Sequence, residues 1–255
     1  MLFVESPLGG SNPPTTAIGL FMKISVLVYG EYRDFDISIS TWDFINHLDC
    51  DFYFSTWNKS SQTSEKLNTT YSFDVNEDMI RKFIPNSQIS ILDESIILET
   101  GSSLEENTRK IIYHWKNGLK MIKESNVNYD MIFLLRFDTI FTIDCEYNEV
   151  LKLNEDKTLY YDGYGDVESK TVSDLFFISK FNVLSEFIDN LNDNSSNIHV
   201  ELSNTISLLN LNLKSIIDKL NFQIIRPNVR ELIPNDFNLK NIWIKNREWL
   251  EGKLL

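Results

Sequence analysis

The chain has 255 residues, 42% of them hydrophobic and 24% charged, enough apolar side chain for one sizeable globular core. Its 24 lysines and arginines face 37 aspartates and glutamates, and the formal charge of −13 excludes the broad basic face that non-specific nucleic-acid binding needs. The two cysteines, Cys50 and Cys145, have neither metal spacing nor a disulfide framework, and with no secretory leader or 18-residue apolar run they point to a cytoplasmic protein.

Residues 1–21 include Gly9-Gly-Ser-Asn-Pro-Pro-Thr-Thr16, a turn-rich stretch that reads as a disordered or non-native extension. Gly10-Ser-Asn-Pro13 is also what one frame of a tRNA T-arm encodes, so Met22 is the expected native start. From there strands and helices alternate. Residues 23–29 (KISVLVY) are a β-rich run closed by Gly30, a residue suited to a sharp turn. Ser40 or Thr41 is expected to cap a short helix over 42–48. Residues 51–56 form a second strand ending at Trp57, and the Ser/Thr/Asn-rich stretch 59–71 reads as a surface loop. A short helix over 77–84 stops at Pro85, and 88–92 is a third strand. Ser103-Leu-Glu-Glu106 has the form of a capping box opening a helix through about residue 124. Ile111, Trp115, Leu119 and Ile122 share its apolar face. Met131-Ile-Phe-Leu-Leu135 is continuously apolar, as in a strand buried on both faces of a parallel sheet.

The second half is less regular. Residues 158–161 form a strand, followed by a glycine-containing loop over 162–170, long enough to fold over a site. A strand over 175–179, an amphipathic helix over 183–191, a helix from Ile198 to about 211 and a late strand over 222–226 follow. A C-terminal stretch from Asn235 carries Trp243 and Trp249 to pack on the body. The order predicts an α/β fold with a mostly parallel central sheet and flanking helices.

Chemistry concentrates after the apolar run, where Arg136 and Asp138 stand two residues apart. Alternation along an extended chain points both the same way, and ligands of open α/β sheets bind outside the carboxyl ends of strands. The pair suits a phosphate, a metal or both, or else an ion pair closing the strand end. Tyr29-Gly30-Glu31-Tyr32-Arg33 follows the first strand and brings a glycine, aromatic rings and a guanidinium to the same edge, where arginine grips phosphate in a fork and tyrosine stacks on a base. Trp57 faces that crevice or packs beneath it. Asp174 opens a strand and would orient or deprotonate an acceptor hydroxyl, or serve as a turn residue. His199-x-Glu201 offers a second carboxylate, a metal ligand or a helix cap. Asp34/Asp36 and Asp49/Asp51 are discounted as metal sites, the latter because it enters its strand from the amino end.

Together, Gly30 to Arg33, Phe54-Ser-Thr-Trp57, the helix bearing Tyr113, Trp115 and Lys116, and Tyr129-Asp-Met-Ile-Phe-Leu-Leu-Arg136-Phe-Asp138 resemble a group of GT-A-type glycosyltransferases of microbes and large-genome viruses, in which Arg-x-Asp replaces Asp-x-Asp. Ser173-Asp174-Leu-Phe-Phe-Ile-Ser179 and His199-Val-Glu201 are similar to later segments of that group. The resemblance implies a three-layer Rossmann-like domain over 22–255, with a nucleotide-binding half over 22–143 and an acceptor-side half over 144–255. It implies transfer of a sugar from a nucleotide-diphospho-sugar donor to a glycan or other hydroxyl acceptor, as in polysaccharide biosynthesis. Tyr29, Gly30, Tyr32, Arg33 and Trp57 would hold base and ribose. Asp138 would carry a divalent cation, Mn²⁺ or Mg²⁺, with Arg136 supplementing or replacing it, and Asp174 would serve the acceptor. A non-catalytic nucleotide- or glycan-binding domain of the same fold is the alternative.

Overall fold

Ile24, Val26 and Val28 lie on one side of the first strand and Leu27 and Tyr29 on the other, and both sides are buried. This doubly covered strand is the centre of the fold. The structure, a computed structural model, describes residues 22–33, 35–42, 47–64, 69–97, 102–141, 152–216 and 222–224. The strands are β1 (Lys23–Gly30), β2 (Asp49–Trp57), β3 (Lys59–Ser64), β4 (Thr69–Asp74), β5 (Gln88–Leu92), β6 (Met131–Arg136), β7 (Thr139–Phe141), β8 (Thr158–Tyr161), β9 (Phe176–Lys180), β10 (Asn212–Ser215) and β11 (Phe222–Ile224). The α-helices are α1 (Phe35–Ser38), α2 (Glu77–Arg81), α3 (Ser103–Glu124), α4 (Phe181–Asp189) and α5 (Ile198–Leu208).

Seven strands form one sheet in the order β10-β8-β9-β6-β1-β2-β5. All neighbours are parallel except β9, which runs against both β6 and β8. The four parallel strands expected from sequence, β1, β2, β5 and β6, are adjacent in the sheet. The reversal of β9 pairs Leu135 with Phe176, so the amino end of β9 lies at the same edge as the carboxyl end of β6. Because β8, β9 and β10 extend the same sheet, the two halves of the chain share one central layer.

Each face of the sheet has its own core. One gathers Phe52, Phe54 and Phe133 against Phe35, Trp42 and Ile80; the other gathers Tyr53, Ile132, Leu134 and Phe177 under α3, α4 and α5 through Trp115, Phe187 and Leu202. Each fully buried side chain of this size contributes about 1.5–3 kcal/mol. Helix α3 comes close to β1 at Gly118, where an added Cβ would stand 2.1 Å from Leu27 Cδ1.

Several local expectations are corrected. Residues 59–71 are no loop: β3 and β4 pair as an antiparallel hairpin, a conformation that threonine and tyrosine favour, around residues 65–68, which lie outside the described part. Residues 43–46, most of the helix expected over 42–48, lie outside the described residues. Residues 35–41 form α1 and a 3₁₀ turn because Phe35 and Trp42 bury their rings together, 5.7 Å apart. Thr41 Oγ1 donates to Ser38 O at 2.7 Å inside that turn. The capping box of α3 is one residue earlier than read, with Ser102 and Glu105 as its partners. Ile112 takes the core place expected of Ile111. Helices α2 and α5 end sooner than predicted, at Arg81 and Leu208, and α4 begins and ends two residues earlier than read. The late strand β11 pairs antiparallel with β7 outside the main sheet. Residues 1–21, Asp34 and the stretch from Asn235 lie outside the described residues.

Candidate active site

The carboxyl ends of β1, β2 and β6, the amino end of β9 and the first halves of α3 and α5 surround a cleft of about 750 Å³. Tyr29, Gly30, Arg33, Trp57, Arg136, Asp138 and Asp174 all line it, as the sequence reading placed them. Tyr32 does not. Its ring is turned into the core between Phe35, Phe73 and Phe137, because the backbone after Gly30 sends residue 32 to the face opposite the cleft. Gly30 has φ +97° with open space where a Cβ would be, so the turn requires glycine for its backbone and not for crowding.

Arg136 and Asp138 form a bidentate pair: Nε donates to Oδ1 at 2.9 Å and Nη2 to Oδ2 at 2.8 Å. The Asp138 side chain is 2% exposed and that of Arg136 24%, so the carboxylate is sealed beneath a guanidinium that meets the cleft. Burial works against the Arg136 charge, but the charge and hydrogen bonds of Asp138 outweigh it and hold the guanidinium firmly protonated. The charge of Asp174 acts in the same direction.

Asp174 is positioned through its backbone. Tyr29 Oη donates to its carbonyl oxygen, and burial together with the nearby Asp174 charge pushes the Tyr29 phenol well above its usual pKa. The carboxylate accepts no hydrogen bond from the described residues and faces the cleft. The loop before it does not cover the site. It folds on itself: Asp162 accepts from Tyr164 N at 3.0 Å and Ser173 Oγ at 2.7 Å, and Tyr161 Oη donates to Gly165 O at 2.7 Å.

His199 lines the cleft, and its Nδ1 donates to Val172 O at 2.8 Å. Glu201 is turned away. Its Oε1 accepts from Asn192 N at 2.7 Å and Thr205 Oγ1 at 3.2 Å, while the Asn197 side chain caps α5. Asp49 and Asp51 lie at the far edge, where Lys23 Nζ reaches them at 2.7 and 3.2 Å.

The sequence reading missed one wall. Leu104, Asn107, Lys110, Ile111 and His114 project from α3 into the cleft at spacings of three and four, a second stripe beside the apolar one. Glu31 was also passed over: it pairs with Arg33 and accepts from Ser61 N at 2.6 Å, tying the β3–β4 hairpin to the rim. The cleft therefore carries four cations, Arg33, Lys59, Lys110 and Arg136, against Glu31, Glu94, Asp138 and Asp174. It is formally neutral on a chain of charge −13.

Arg136 bonds both carboxylate oxygens of Asp138, whose side chain is 2% exposed, so the charge facing Asp138 in this arrangement is the guanidinium. Among the described residues no three His, Cys, Asp or Glu side chains stand together as a metal-binding group. No helix among them is long and apolar enough to cross a membrane. No protein-family model matches the chain, and no curated protein matches it.

Proposed function

We propose that the protein transfers a sugar from a nucleotide-diphospho-sugar donor to a hydroxyl acceptor. The observation that carries this reading is the pairing, in one cleft at the carboxyl edge of parallel strands, of the Asp138-clamped Arg136 guanidinium with the unbonded Asp174 carboxylate. A guanidinium fixed on one side by a carboxylate keeps its remaining N–H groups for an anion, and a diphosphate oxygen pair suits that fork. Negative charge grows on the diphosphate as its bond to the sugar C1 breaks, and a positioned cation stabilises it. In this reading Arg136 provides the charge that a metal would supply, and Asp138 acts through Arg136 as a positioning residue. The acceptor oxygen bonds to C1 while its proton passes to Asp174.

The experiment is donor turnover. A panel of nucleotide-diphospho-sugars is incubated with the protein and the released nucleotide is measured with and without simple glycan acceptors. Release of a nucleoside diphosphate together with sugar transfer supports the reading. Tight binding without release identifies a binding module instead, and release of pyrophosphate or phosphate identifies a nucleotidyl- or phosphotransferase.

A further inference from the structure

Ser55, Tyr29 and Arg136 occupy one row across three strands, since Tyr29 is in register with Ser55 on β2 and with Arg136 on β6. Two strand spacings put Ser55 roughly 10 Å from Arg136. Over Ser55 stands His114 of α3, with Nδ1 2.9 Å from Ser55 Oγ, and the same oxygen accepts from Asn117 Nδ2 at 3.0 Å. The serine proton needs an acceptor, and Nδ1 is the one in reach among the described residues. An imidazole that accepts at Nδ1 carries its proton on Nε2. The relay from Asn117 through Ser55 to His114 thus leaves an Nε2–H donor on the side of the ring away from the sheet.

Among the described residues that buried nitrogen has no hydrogen-bond partner, although His114 lines the cleft. A buried donor left in this state keeps its full desolvation penalty until a ligand supplies an acceptor. Burial also lowers the imidazole pKa to about 3, so the ring is a neutral donor. The Trp57 ring packs on it with centroids 4.1 Å apart, which offers a π face but no oxygen or nitrogen acceptor.

We infer that His114 Nε2–H and Trp57 read the nucleobase of the donor, and that the base presents a carbonyl oxygen where adenine and cytosine present an amino group. The inference rests on the donor reading above. A diphosphate on Arg136 places the base of the same nucleotide two strands away, over Ser55. A neutral, donor-only group there pairs with a carbonyl and opposes an amino group, which is itself a donor. The phosphates are left to the charged Arg136 and Lys110.

Calorimetry of the full chain with UDP, CDP, GDP and ADP tests this in pairs of equal ring size. The expected result is a preference of about tenfold for UDP over CDP, or for GDP over ADP, in the pair the cleft admits. His114→Phe, which keeps the aromatic packing, should abolish that preference. Nitrogen-15 NMR of the wild-type imidazole should show the Nε2-protonated form, a readout that does not depend on the variant folding. Equal affinities within each pair, a preference that survives His114→Phe, or an Nδ1-protonated ring overturns the inference and leaves the donor reading in place. A wild-type protein that binds none of the four nucleotides removes the donor reading, and the inference with it.

Discussion

Arg136 holds both oxygens of Asp138, through Nε at 2.9 Å and Nη2 at 2.8 Å, and of the two side chains only that of Arg136 keeps an appreciable exposed surface. Arg136→Ala leaves a carboxylate at 2% exposure without its cation and should cost about 3 kcal/mol. Asp138→Asn keeps one acceptor for Arg136, whose side chain is partly exposed, and should cost about 1–2 kcal/mol. Urea denaturation of both variants checks the order. Arg136→Ala should also weaken nucleoside diphosphate binding about tenfold or more, because it removes a charged contact made before chemistry begins.

Occupation of the Asp138 oxygens leads to a second expectation. Donor turnover should proceed in excess EDTA at close to its rate in Mn²⁺ or Mg²⁺. A chelator that abolished turnover, with recovery on adding the ion, would show that Asp138 leaves Arg136 for a metal.

Asp174 lines the cleft with a carboxylate that takes no hydrogen bond from the described residues, while its carbonyl takes the Tyr29 hydroxyl, and in the proposed reaction it receives the acceptor's proton. Asp174→Asn should therefore lower kcat by about 10²–10⁴-fold, with donor KM and melting temperature little changed. A variant with wild-type kcat would remove Asp174 from the reaction.

His114 is buried and neutral in the fold, with a pKa lowered to about 3, whereas the unfolded chain protonates it near 6.5. Between those values the unfolded state binds the extra proton, so this residue makes the protein lose stability as pH falls from 6.5 toward 3. The slope from one such group is about 1.4 kcal/mol per pH unit. Urea denaturation at pH 4, 5, 6 and 7 should show a shallower acid loss in His114→Phe than in the wild type.

Gly118 sets how closely α3 approaches β1. Alanine there improves helix propensity by about 1 kcal/mol. Its Cβ would, however, stand 2.1 Å from Cδ1 and 2.5 Å from Cδ2 of the fully buried Leu27. Overpacking of this kind costs about 1–3 kcal/mol, and a net loss of stability is expected. Thermal denaturation of Gly118→Ala reads the sign directly.

Much of the scaffold was legible because local rules decide it. The apolar run of β6, the glycine that closes β1 and the amphipathic period of α3 each specify their own conformation, and the alternation of elements specifies a mostly parallel sheet. Arg136, Arg33 and Trp57 were placed at one edge on that basis, since strand direction carries every carboxyl end to the same side, whereas Asp174 opens β9 and reaches that edge only because β9 runs antiparallel to β6. Tyr32 was misplaced because the turn after Gly30, with its positive φ, decides which face follows it, and periodicity does not extend through such a turn. The β3–β4 hairpin was misread because its polar residues give no burial signal, and its pairing depends on a partner strand. What only the tertiary structure decided is who meets whom. Two residues of a strand end became an ion pair at the cleft, and His114, invisible within an amphipathic helix, came to stand 2.9 Å from the hydroxyl of a serine 59 positions away. Such contacts depend on distances between elements, and a sequence period describes only one element at a time.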